Sequence, residues 1–155
     1  MSKSQRGIDS QPVTAREMEG VFCHEFDVSD ADIDVNGHVN NVVYVQWMQD
    51  VAVKHADAFR VSATGDGTGT WVARSHQIQY LKPAFVGERV RARTWIAEVS
   101  HVRARRRYRF VRVSDRAVLA KGETDWVYVS TETGRPRAIP DEIRAAFIVV
   151  PDDPT

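Results

Sequence analysis

Apolar side chains recur at three- and four-residue steps through Asn40–Phe59. Tyr44, Trp47, Met48, Val51, His55, Ala58 and Phe59 share one helical face, while Gln46, Gln49, Asp50, Lys54 and Asp57 lie mostly off it. Asn40 or Asn41 suits the N-cap, since either side chain can accept from a free first-turn N–H. Val42, Val43, Val45 and Val53 are mediocre helix formers, so packing against something large must hold this helix. Val21–Val28 alternates loosely and predicts a strand. Four more strand-like runs follow, Thr70–Leu81, Glu88–Val99, Val102–Val113 and Ala117–Val129. The breaks at Pro83–Gly87, Ser100–His101 and Ser114–Arg116 suit an antiparallel meander. Gly122 inside the last run suggests close backbone approach, as of the helix. Asp141–Phe147 predicts a short closing helix. Strand, long helix, four strands is an α+β order, with a largely antiparallel sheet and one principal helix on one face.

Composition narrows the class. The chain has 155 residues, the size of one domain, which buries roughly 68–70% of its unfolded surface without needing disulfides or metals. Residues 1–18 are polar and read as a disordered tail, 19–150 as one domain and 151–155 as a C-terminal tail. Lys plus Arg and Asp plus Glu both total 21, so the chain is not basic overall, although a basic patch remains open. The single cysteine, Cys23, excludes an internal disulfide and any multi-cysteine zinc site. It reads as a buried, inert thiol in a strand. No apolar run is long enough to span a membrane and the N-terminal residues lack a secretory apolar core, so a cytoplasmic location is expected.

The densest polar cluster, Asp30–Asn41, stands directly before the long helix. A helix N-terminus offers unpaired N–H donors and about half a positive charge, which favours an oxyanion. Asp34, Asn36 and His38 could converge in a tight turn that Gly37 eases, giving an oxygen base or nucleophile, an orienting amide and an imidazole. The plainer alternative is a loop whose Asp and Asn side chains cap the helix. Asp32, Asp34, Asn36 and Gly37 also mimic half a calcium loop, but its twelfth position is Val43 rather than Glu, and no metal is expected. A second concentration is arginine: nine between Glu88 and Val113, against two acids. Arg103, Arg105, Arg107 and Arg109 share a strand face, as do Arg89, Arg91 and Arg93. Paired strands would form a basic stripe for phosphates, an acidic carrier protein or nucleic acid; the alternative is a solvated or subunit-facing surface. Few aromatics interleave, so nucleic acid is not expected. His55, on the apolar helix face, reads as a satisfied core histidine.

Asp32–Asp50, DIDVNGHVNNVVYVQWMQD, resembles the signature D-x-D-x-x-G-H-V-N-N-x-x-Y of hotdog-fold acyl-CoA and acyl carrier protein thioesterases, in the 4-hydroxybenzoyl-CoA thioesterase-like superfamily. The likeness covers about residues 20–130 and continues through Gly122–Phe147. It implies a sheet wrapped around one long central helix, and hydrolysis of a fatty-acyl or related thioester with no cofactor. It places Asp34 as nucleophile or general base, Asn36 and His38 around it, and Asn40 and Asn41 at the helix start whose N–H groups polarise the carbonyl. It also implies a homodimer or homotetramer with substrate between subunits. Arg105 and Arg107 then become candidates for coenzyme A phosphates. The plant-type enzymes carry a further acid or thiol on the strand after the helix, and Ile78–Phe85 here has neither. A hotdog enoyl-CoA hydratase or dehydratase, or a non-catalytic acyl-binding module, are the alternatives.

Overall fold

The computed structural model describes residues 19–58 and 66–154. The expected tail at 1–18, Phe59 of the helix face and the loop before Asp66 lie outside the described residues. Chain order is β1 (Phe22–Asp27), α1 (Asn41–Asp57), β2 (Gly69–Tyr80), β3 (Arg89–Val99), β4 (Arg103–Arg112), β5 (Val118–Ser130) and α2 (Asp141–Ala146). Each element falls within two residues of its expected bounds.

The strands form one antiparallel sheet in the order β1-β3-β4-β5-β2. The expected meander therefore holds only for β3 to β5. β2 pairs with β5, not β3, so Leu81–Glu88 is a crossover rather than a hairpin. Backbone bonds pin it along its length: the Leu81 and Lys82 amides donate to Leu119, and Gly87 donates to Val28. β2 consequently becomes a sheet edge, twelve residues long and exposed through its middle.

α1 lies across the sheet and buries Tyr44, Trp47, Met48, Val51, Ala52 and His55. The main core joins these to Val90, Ala92, Tyr108, Phe110, Leu119 and Ala120 from the strands. Full burial of a side chain such as Met48 stabilises by about 1.5–3 kcal/mol, which offsets the poor propensity of the valines. Gly122 permits the close approach that its strand position suggested, because a Cβ there would stand 2.9 Å from Met48 Sδ. A long helix cradled by a single antiparallel sheet is the hotdog fold. α2 closes one end, with Ile143 packed against Tyr128 and Ile139. Residues 151–154, the expected C-terminal tail, lie on the sheet's other face, where Asp153 meets Arg109 at 2.9 Å.

Candidate active site at the amino end of the long helix

The motif loop is a tight turn closed by its own backbone. The Asp34 amide donates to His38 O and the Gly37 amide donates to Asp34 O, both at 3.0 Å. Gly37 takes φ +86°, a left-handed conformation that a side chain would strain. Ile33 and Val39 bridge across the base of the turn and pack onto the core. Val39 N–H donates to Ala84 O, which ties the turn to the crossover. Asp32 is structural, accepting from both the amide and the hydroxyl of Ser29 through Oδ2.

Helix capping and site geometry are one feature here. Asn40 is the N-cap, its Oδ1 accepting from Val42 N–H at 3.0 Å, while its carbonyl accepts from Val43 N–H. Asp34 is half-buried, and its Oδ1 accepts from Asn36 N–H at 2.8 Å. The Asn36 side chain is exposed and makes no hydrogen bond among the described residues. Asp34 and His38 are thus joined through backbone, and Asn36 touches Asp34 through its amide rather than its side chain. A groove of about 250 Å³ opens beside the helix start, walled by His38, Asn41, Tyr44, Tyr80, Lys82 and Ala84 among others. His38 sits edge-on to Phe85. Tyr80 Oη donates to Asn41 O at 2.9 Å. Tyr44 Oη is buried with no hydrogen-bond partner among the described residues, and burial together with Tyr80 pushes its phenol up to about 12. Within one chain, Asp34 is not among the groove's walls. Lys82 went unread as a wall because the crossover, not sequence spacing, brings it there.

The arginines occupy the face of the sheet away from α1, but they are not a free basic stripe. Arg105 pairs with Asp125 at 2.9 Å and Glu98 at 3.3 Å, and Arg107 pairs with Glu123 at 3.2 Å. Arg89 and Arg91 both reach Glu25, and Arg107 and Arg109 both meet Asp153. The register explains this: β5 sets Asp125 opposite Arg105 and Glu123 opposite Arg107. Apart from Glu98, sequence counting within Glu88–Val113 missed these acids because they come from β1, β5 and the C-terminal segment. Cys23 is half-buried on this face, packed beside Trp95 and Val150.

Arg106 has the opposite parity and faces the helix. It is 6% exposed. Its Nη1 lies 2.8 Å from His55 Nδ1 and donates to Thr94 Oγ1 at 3.1 Å. Arginine has no acceptor, so Nδ1 must accept and the imidazole is neutral. Burial, reinforced by Arg106, pulls His55 down to about 3. His55 is the satisfied core histidine that its helix position suggested, stacked on Phe22 at 5.3 Å. Beside Arg106, under the C-terminal half of α1, lies a mostly apolar cavity of about 110 Å³. Its parity within Arg103–Arg109 was the available signal for Arg106.

With this geometry in place, comparison assigns the chain to a family. The sequence matches the thioesterase-like superfamily over residues 28–147. The chain belongs to that superfamily. The match spans the motif loop, the helix and all four later strands, so it covers the whole arrangement around the groove. No curated protein matches the sequence. Among solved structures, the 1,4-dihydroxy-2-naphthoyl-CoA thioesterase Slr0204 of Synechocystis superposes with a TM-score of 0.75 at 21% identity, covering 82% of this chain and 95% of that one. The 12:0-ACP thioesterase of Umbellularia californica gives 0.75 at 22%, covering 84% of this chain and 51% of that one. Staphylococcus aureus SAV2348, solved in complex with CoA, gives 0.74 at 16%, covering 84% and 87%. At these identities the likeness shows the shared hotdog fold. No helix among the described residues is long and apolar enough to cross a membrane.

Proposed function

We propose that the protein is a thioester hydrolase that releases a free acid and a thiol from an acyl-CoA or acyl carrier protein, in the cytoplasm and without a cofactor. The observation that carries this reading is the groove at the N-terminus of α1, adjoining the Asp34 turn in a member of the thioesterase-like superfamily. The thioester carbonyl would sit in the groove with its oxygen toward the helix start. Val42 and Val43 already donate to Asn40. The Asn41 N–H is therefore the first-turn donor for the oxyanion, strengthened by the helix dipole. Asp34 either takes a proton from the attacking water or attacks the carbonyl itself, forming a mixed anhydride that water then hydrolyses to the free acid. The tetrahedral intermediate collapses by breaking C–S, and the thiolate leaves without a strong acid before taking up the proton. His38 orients the acyl carbonyl or the water from the groove wall. Lys82, on the same wall, is the cation placed to meet phosphate, in preference to the acid-paired Arg105 and Arg107.

Assembly completes the site in this proposal. The open β2 edge offers twelve residues of backbone to a second copy, and unpaired edges of that length are usually covered. Antiparallel β2–β2 pairing makes a homodimer in which the two α1 helices run in opposite directions. The Asp34 turn would then meet walls that a single chain lacks. A panel of acyl-CoA substrates from short to long chain, read by free-thiol release, tests the activity; no release from any member, in a dimer confirmed by light scattering, contradicts it.

A further inference from the structure

Arg106 is the odd charge in this molecule. It is buried, and among the described residues no carboxylate pairs with it, whereas its neighbours Arg105 and Arg107 each meet at least two acids. Guanidinium does not deprotonate near neutral pH, so the charge cannot be shed. Among the described residues, both hydrogen bonds of Arg106 leave from Nη1, to His55 and Thr94. The donors on Nε and Nη2 have no partner among the described residues, and the side chain lines the cavity with Ala52, Trp71, Ala104, Trp126 and Phe147. Trp126 Nε1 and Tyr108 Oη are also buried without a hydrogen-bond partner among the described residues. A buried charge without a carboxylate is costly, and satisfying His55 and Thr94 engages only one of its three nitrogens. The cavity is instead what an anion receptor needs: apolar walls, one fixed cation and spare planar donors suited to a carboxylate.

We infer that this cavity is the far end of the acyl site, and that Arg106 selects acyl groups ending in an anionic oxygen, a carboxylate above all. This rests on the thioester reading and deepens it. Cavity size fits a short terminus: about 110 Å³ compares with the roughly 150 Å³ that admits benzene. Position fits as well. Ala52 lies about 16 Å along α1 from Asn41, at 1.5 Å per residue. A two-fold through β2 brings the cavity of one subunit toward the groove of the other, so the acyl group need not run the length of one helix.

The test compares matched thioesters, an ω-carboxyacyl-CoA and the ω-methyl acyl-CoA of equal length, on wild type and on Arg106→Met. Met is apolar and of similar length, and circular dichroism with a melting curve checks its fold. Wild type should favour the carboxyl-ended substrate by at least about 10²-fold in kcat/KM. Arg106→Met should erase that preference and keep hydrolysis of the methyl-ended one. Ala104→Val, which narrows the cavity and leaves Arg106 in place, should shorten the preferred chain and keep the charge preference. A wild type that favours the methyl-ended substrate, or a preference that survives Arg106→Met, overturns the inference. Calorimetry with butyrate and butanol separates it from the thioesterase reading. If no thioester is hydrolysed yet wild type binds butyrate over butanol and Arg106→Met does not, the receptor stands and the activity falls. If thioesters are hydrolysed with no charge preference and butyrate does not bind, the activity stands and the receptor falls.

Discussion

The two faces of one sheet treat the same residue in opposite ways. Arg105 and Arg107 look outward and share carboxylates with their neighbours, in a ladder of half-exposed ion pairs. Arg106, between them on β4, looks inward to His55 and Thr94. A strand alternates its side chains, so a run of arginines divides into two physically different sets. Outside, each charge keeps water and a partner, and each pair adds little. Inside, a lone charge meets neutral dipoles and a cavity, and that cost argues for a use. Sequence density of charge is thus a poor guide to function, whereas parity against the buried face is a good one.

Reversing charge on the two faces should separate them most sharply. Arg106→Glu places a carboxylate among apolar walls and beside a neutral imidazole, and should cost more than about 4 kcal/mol. Arg105→Glu, partly solvated, should cost far less. Equal losses in urea denaturation would break the comparison.

Acidity reaches the inner face next. The His55 pKa is lowered from 6.5 to about 3 by burial and by Arg106. The unfolded chain therefore takes up a proton below about 6.5 while the folded one does not, so stability is full above that pH and declines as pH falls toward about 3. His24, also lowered by burial, adds to the same slope. His55→Gln keeps an acceptor for Arg106 and should flatten the decline, measured as urea midpoints between pH 4 and pH 7. An unchanged slope would place the titration elsewhere.

Packing gives a smaller contrast at adjacent positions. Gly122→Val drives a side chain against Met48 and should cost about 1–3 kcal/mol, while Lys121→Val on the other face should stay within about 0.5 kcal/mol. Thermal midpoints decide it. The smallest effect belongs to the ladder itself: a double-mutant cycle on Arg105 and Asp125 should return about 0–1 kcal/mol, fading in salt.

Much of this was legible in the sequence. Periodicity located α1, its apolar face and five strands, and capping chemistry narrowed the N-cap to Asn40 or Asn41, because those patterns are local. The β2–β5 pairing was not legible, since the turn-like Pro83–Gly87 suggests a hairpin and only tertiary packing reveals a crossover. The Asp34 turn and His38 were found through residue chemistry and family likeness. Lys82 arrives at the groove by that same crossover, and apart from Glu98 the acids beside the outward arginines Arg89, Arg91, Arg105, Arg107 and Arg109 arrive from β1, β5 and the C-terminal segment. Non-local pairing hid both.

The central claim is that the Asp34 carboxylate, beside the start of α1, does the chemistry. The direct measurement is free-thiol release by Asp34→Asn, alongside its acyl-CoA affinity by calorimetry. The account predicts a fall in kcat of about 10²–10⁴-fold with affinity little changed. Release at the wild-type rate would contradict it.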